Sequence, residues 1–210
     1  MKIFSLKKKI LSKAIRDKID ILKIVISVSE YLMIKAYVLC ESIDENFEKD
    51  FLVIEKMNRL FIKEENKYYS IAYPFSVDNN GVISYRETNL TVSMLVTVEY
   101  LINCIKNDDI FDIERLLDLC WNFEQYNQMP DSDKKFTNEL IIYLLHYEVG
   151  YIRFDIDEAN ENGKLHPKFH FDINYDTKST FKIGLFKNIS VDSFADLLNI
   201  KSECYYLKSS

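Results

Sequence analysis

Hydrophobic positions follow two different periods along this chain, and the switch between them divides it. In the first forty residues Leu11, Ile15, Ile19, Leu22 and Ile26 recur at spacings of three and four. A second stripe runs through Val25, Val28, Leu32, Ala36 and Leu39. The spacing predicts one long helix, or two with a break near Ser27 to Ser29, in a helical N-terminal part spanning 1–50. From Phe51 the pattern turns β-like. Lys67-Tyr-Tyr-Ser-Ile-Ala-Tyr73 is rich in strand formers and stops at Pro74, and Asn80-Gly81 signals a tight hairpin turn because both positions tolerate positive φ. Strands are expected near 67–75 and 82–87, with Phe51 to Lys63 readable as a strand or a short helix.

Three helical stretches follow. The first, over 91–106, would be capped by Thr88 or Asn89 and buried through Val92, Leu95, Val96 and Leu101. The second, capped by Asp108 or Asp109, turns Ile113, Leu116, Leu117 and Cys120 inward, with Trp121 as a packing anchor at its end. A third starts at Met129-Pro130-Asp131, buries Phe136, Leu140, Tyr143, Leu144 and Tyr147, and has Gly150 to end it.

Beyond Gly150 the period falls to two. Ile152, Phe154 and Ile156 face one way while Arg153, Asp155 and Asp157 face the other. After a polar connection, Phe169, Phe171 and Ile173 alternate with Lys168, His170, Asp172 and Asn174. A third run places Phe181, Ile183 and Leu185 inward and Thr180 and Lys182 outward. Ser190 caps a short helix burying Val191, Phe194, Leu197 and Leu198, and Cys204-Tyr-Tyr-Leu207 reads as an edge strand. The expected fold is α+β: helical N-terminal and central regions packed on an antiparallel sheet, then a C-terminal three-stranded antiparallel segment plus a short helix. It reads as a single domain, with 51–149 carrying the hairpin and helices and 150–210 the β-rich region.

Composition changes this picture little: 48% hydrophobic and 29% charged residues are ordinary for a chain with a packed core. The formal net charge of −6 weighs against coating nucleic acid by bulk charge. A basic N-terminal stretch (Lys2, Lys7, Lys8, Lys9, Lys13, Arg16, Lys18) reads as a solvated helix face, with contact to phosphates or an acidic partner as the alternative. Cys40, Cys104, Cys120 and Cys204 form no C-x-x-C pair, so a reducing compartment fits better than a disulfide framework or zinc knuckle. The most apolar stretch, Ile21 to Cys40, is interrupted by Lys23, Glu30 and Lys35, which argues against a membrane span. A cytoplasmic protein without membrane partners is the expectation.

The chemistry concentrates on one face of the C-terminal strands. Arg153, Asp155, Asp157, His170, Asp172 and Lys182 gather there, and two of the chain's three histidines, His166 and His170, lie within five residues of each other. Two readings compete. As a recognition face, Arg153, His166, Lys168 and Asn174 would bind a partner, and cross-strand ion pairs such as Arg153 with Asp172 would hold the sheet. As a metal centre, Asp155, Asp157, His170 and Asp172 would hold Mg²⁺ or Mn²⁺, with His170, Asp172 and Lys182 catalytic. His146, in a helix, reads as structural. No phosphate-binding glycine loop, zincin motif or nucleophile elbow is present. A restriction-nuclease-like Asp…[DE]-x-Lys pattern matches only in part, because Thr180 stands in the acidic position before Lys182.

The run Gly150-Tyr-Ile-Arg-Phe-Asp-Ile-Asp, followed by His166-Pro-Lys-Phe-His170, resembles a bacterial family of uncharacterised proteins with an Arg-[Phe/Tyr]-Asp-x-Asp … His-Pro-x-x-His motif. The resemblance covers about residues 150–186. It implies a setting among phage-defence genes and lends no established activity. The expected function is therefore an accessory or interaction subunit without a cofactor, recognising a protein partner in an assembly or a nucleic acid. The rival is a metal-dependent nuclease or phosphodiesterase-type effector.

Overall fold

The computed structural model describes residues 2–6, 14–40, 50–54, 57–108, 113–176 and 178–206. The chain divides into two compact units, each built from separated segments. One unit takes Met1–Arg16, Tyr37–Tyr73 and Val149–Ser210; the other takes Asp17–Ala36 and Pro74–Glu148.

Among the described residues the first unit is an eight-stranded antiparallel sheet with one short helix. Its strands are β1 (Lys2–Leu6), β2 (Tyr37–Cys40), β3 (Phe51–Ile54), β4 (Arg59–Glu64), β5 (Lys67–Ala72), β9 (Ile152–Ile156), β10 (Phe169–Ile173) and β11 (Phe181–Leu185). Their order across the sheet is β11-β10-β9-β5-β4-β3-β1-β2. The C-terminal meander is thus joined to the N-terminal strands by the β5–β9 pair. Helix α6 (Val191–Leu197) starts at Ser190, whose hydroxyl accepts from the Ser193 amide. Its Val191, Phe194 and Ala195 close over the apolar face, where Phe51, Phe61, Phe154 and Phe171 meet. Phe194 lies 6.0 Å from Phe61 and 6.1 Å from Phe171, centroid to centroid. Aromatic contacts of this kind add to the burial that fixes which way each strand faces.

The second unit holds α1 (Lys18–Met33), α2 (Val92–Asp108), α3 (Ile113–Trp121), α4 (Glu124–Asn127) and α5 (Asp131–His146). A small sheet of β6 (Ser76–Val77), β7 (Ile83–Tyr85) and β8 (Thr88–Asn89) completes it. Helix α2 packs on α1, α4 and α5. No helix among the described residues is long and apolar enough to cross a membrane.

The α+β class is as expected, and several local expectations are corrected. The first forty residues are not wholly helical: β1 and β2 pair antiparallel, with Phe4 opposite Leu39, on either side of α1. Ile3, Phe4 and Leu6 are all fully buried, and a strand apolar on both faces does not alternate, so its run of hydrophobes mimics a helix. Helix α1 passes unbroken through Ser27–Ser29, and the buried Ser29 hydroxyl is satisfied by donating to the Val25 carbonyl at 2.8 Å. Lys7, Lys8, Lys9, Leu11 and Lys13 lie outside the described residues. Within Phe51 to Lys63 the described residues form strands β3 and β4, and residues 55 and 56 lie outside the described residues. Of Asn80-Gly81 only Gly81 has positive φ (+78°); the turn is a longer loop in which the Asp78 carboxylate accepts from the Asn80 and Val82 amides. Thr91, not Thr88 or Asn89, caps α2 by accepting from the Met94 amide. Asp108 closes α2 and Asp109 lies outside the described residues. Helix α5 ends at His146, before Gly150, and Trp121 is 62% exposed and so no anchor. Cys40 sits in β2 and not in a helix. Cys204–Tyr206 form no strand, and Leu207 is not described.

One glycine decides how the 157–168 connection meets the sheet. Gly184 lies opposite His170 on the polar face, and a β-carbon there would meet Pro167 Cγ at 2.7 Å. Gly163, in the same connection, has open space around it. Gly184→Ala should therefore cost about 1–3 kcal/mol by overpacking against a proline ring. Gly163→Ala, at φ +48°, should cost about 1 kcal/mol from backbone strain alone. Urea denaturation of both variants checks the order.

Candidate functional site

Strand pairing turns the polar face into two rows. Lys67, Asp155, His170 and Gly184 stand side by side across β5, β9, β10 and β11. Tyr69, Arg153, Asp172 and Lys182 form the next row. Tyr151 and Thr180 continue the same face one step further, by the alternation of side chains along a strand.

The centre of these rows is buried. His170 is fully buried, and Asp155 and Asp172 are 3% and 4% exposed. Buried carboxylates need cations and donors, and one guanidinium supplies most of them. Arg153 Nε and Nη2 donate to the two oxygens of Asp155 at 2.6 and 2.7 Å, and Nη2 also donates to Asp172 Oδ2. The expected cross-strand pair between Arg153 and Asp172 is therefore present. Lys182 Nζ donates to Asp172 Oδ1 at 2.7 Å and lies 2.9 Å from His170 Nε2. Lys67 Nζ approaches Asp155 Oδ2 at 3.9 Å. Burial acts to lower the pKa of Arg153, but its hydrogen bonds to Asp155 and the nearby carboxylates outweigh this, so it stays cationic.

An ammonium can only donate, so His170 Nε2 must accept from Lys182. The ring proton then sits on Nδ1, which donates to the Pro167 carbonyl at 2.7 Å. His170 is neutral in this arrangement, with both nitrogens engaged. The His166 ring packs edge-on against it, with centroids 4.8 Å apart.

The remaining anticipated residues sit to the side. Asp157 faces His166 Nε2 at 3.2 Å, and its carboxylate accepts from the Asn160 amide and side chain. The Asn160 side-chain bond, against some desolvation, holds Asp157 below the usual carboxylate range. Lys168 pairs with Glu158. Asn174, at φ +79°, shapes the β10–β11 turn by bonding Ser179 and the Tyr175 amide. His146 Nδ1 lies 2.8 Å from the Ile142 carbonyl, in keeping with a structural role.

Lys67, Tyr69 and Tyr151 are the contributors that local pattern did not assign. Tyr69 lies under the Arg153 guanidinium at 5.9 Å. The Tyr151 hydroxyl is buried beside the Arg153 guanidinium. Burial raises the pKa of both phenols, with the Arg153 charge pulling the other way. The signal that could have found Lys67 and Tyr69 is the alternation in Lys67-Tyr68-Tyr69-Ser70, which places both on one face.

Chemically the cluster offers two things. Asp155, His170 and Asp172 each present a ligand atom, all within 4.8 Å of one another, a spacing that suits a cation. The same atoms already accept from Arg153 and Lys182. No protein-family model, no curated protein and no solved structure matches the chain.

Arg153→Met should destabilise the protein by about 3–5 kcal/mol, since it strands two buried carboxylates. Lys182→Met, at a site where the lysine side chain is 30% exposed, should cost about 1–2 kcal/mol. Denaturant titration tests that order. A second expectation concerns alkali. The folded-state pKa of Tyr69 and Tyr151 lies above the unfolded value of about 10. Their contribution to stability is whole below that value and is lost as pH rises through the folded pKa. Phenolate absorbance should accordingly rise in two steps, the second coinciding with unfolding.

Proposed function

We propose that this chain is a non-catalytic recognition subunit, which engages an anionic group of its partner through the polar face of β9, β10 and β11. The observation that carries the reading is the occupancy of the acceptors. Asp155 and Asp172 are matched by Arg153 and Lys182, and the one lone pair of His170 is taken by Lys182. A metal ion would have to displace both cations from their partners. The side chains of Arg153, Lys182 and Lys67 are 23%, 30% and 43% exposed and can meet a negatively charged group. The likeness of the Arg-Phe-Asp-Ile-Asp … His-Pro-x-x-His run to a defence-associated bacterial family supports a partner, protein or nucleic acid, in a phage-defence assembly.

The second reading, a metal-dependent nuclease or phosphodiesterase, draws on the mutual proximity of Asp155, His170 and Asp172. Asp157, turned to His166, would not join that set. Magnesium and manganese titrations separate the two readings. A metal bound at a hundredfold over its Kd would stabilise the fold by about 2.7 kcal/mol. The recognition reading expects no such rise in Tm, no cleavage of RNA or DNA, and loss of the host partner from a Lys182→Glu variant. Manganese-dependent cleavage that disappears in both Asp172→Asn and His170→Ala would overturn it.

A further inference from the structure

We propose that the outer edge of β11 is a docking site for an extended, acidic segment of a protein partner, which adds to the sheet as a further strand. The inference rests on the recognition reading and names the partner's chemistry.

The first observation is that this edge is open. Strand β11 ends the strand order on its side of the sheet, and among the described residues nothing pairs with its outer flank. Phe181–Leu185 keep an unbroken register with β10, with no bulge to twist the edge away and no proline along it. An edge of this kind templates another strand, and proteins usually block it. The lysine that would serve as a block, Lys182, is drawn back to Asp172 on β10. Phe181 is 57% exposed, and Phe186, just past the strand, is fully exposed.

Backbone chemistry selects a polypeptide. Alternate residues of an edge strand turn both N–H and C=O outward. A phosphodiester could accept from the amides but has no donor for the carbonyls. An extended peptide supplies both, and its side chains then alternate between the two faces of the sheet.

Charge selects an acidic one. Between Asp176 and Asp192 the chain carries Lys178, Lys182 and Lys187 and no acidic residue. Lys178 and Lys187 are exposed, one beyond each end of the strand. Even counting Asp176, which accepts from the Ser179 hydroxyl in the β10–β11 turn, the edge is basic. The partner pattern that fits has a period of two. Apolar residues lie against Phe181 and Ile183 on one face, and an acidic residue lies against Lys182 on the other, with further acids toward Lys178 and Lys187. A second copy of this chain fits poorly, because β11 paired with itself about Ile183 would line up the lysines of both copies along one seam. The opposite edge strand, β2, is Tyr-Val-Leu-Cys and carries no charge that would name a partner.

The test is fluorescence anisotropy of the full chain with a labelled peptide of alternating valine and glutamate. The controls are a peptide of the same composition in two blocks, one of alternating valine and lysine, and single-stranded DNA. The alternating acidic peptide should bind most tightly, and amide hydrogen exchange should slow at alternate residues within 181–185. A double variant, Lys178→Glu with Lys187→Glu, changes two exposed positions and should leave the Tm of the free protein unchanged. It should weaken the acidic peptide about tenfold and turn the preference toward the valine–lysine peptide. The proposal is overturned if the block peptide or the DNA binds as well, if exchange in β11 does not slow, or if the double variant keeps its affinity. A concentration-dependent dimer that Phe181→Asp dissolves would also overturn it, by giving the edge to a second copy. A host partner lost from Lys182→Glu but kept by the double variant would uphold recognition by the polar face without strand addition. A partner kept by both would remove the recognition reading as well.

Discussion

A single guanidinium placed between two buried carboxylates is the constraint around which the C-terminal strands are organised. Arg153 on β9 holds Asp155 on its own strand and Asp172 on β10. Lys182 on β11 completes the charge balance at Asp172. None of these groups can be shifted by one residue without moving it into the aromatic core on the other face. The ion pairs thus specify register, and the layer of Phe154, Phe171 and Phe194 beneath supplies the burial that makes the register worth holding.

That constraint also shapes the chemistry. Carboxylates tied to fixed cations are poor places for a second cation, and a neutral histidine locked between Lys182 and Pro167 is not free to shuttle protons. The cations themselves reach the surface, and their outer edges remain available. A face built this way presents donors to solvent while keeping its acceptors inside.

Much of this was legible in the chain. Period-two alternation placed Arg153, Asp155, His170, Asp172 and Lys182 on one face, and they do meet. Ser190 as the cap of α6 was equally clear, because a capping serine before an apolar run is a local signal. What local pattern could not carry was pairing at a distance. Lys67 and Tyr69 join the site only because β5 lies beside β9, and nothing between Ala72 and Ile152 announces that neighbour. Strands β1 and β2 were hidden for another reason: strands with apolar residues on both faces carry no period of two. Asp157 obeys the alternation, yet it stands just past the end of β9, where the chain leaves the sheet and turns toward Asn160 and His166.

The β5–β9 pair has a consequence for how the molecule comes into being. It joins segments separated by nearly the whole of the second unit in sequence, so closing it carries the entropy of a long loop. Contacts of such high sequence separation slow folding. The meander β9–β11 can pair locally, but Lys67 and Tyr69 reach Asp155 and Arg153 only when that closure is made. During synthesis the polar face is therefore incomplete until the last third of the chain has emerged, and its full set of cations requires that long-range pairing.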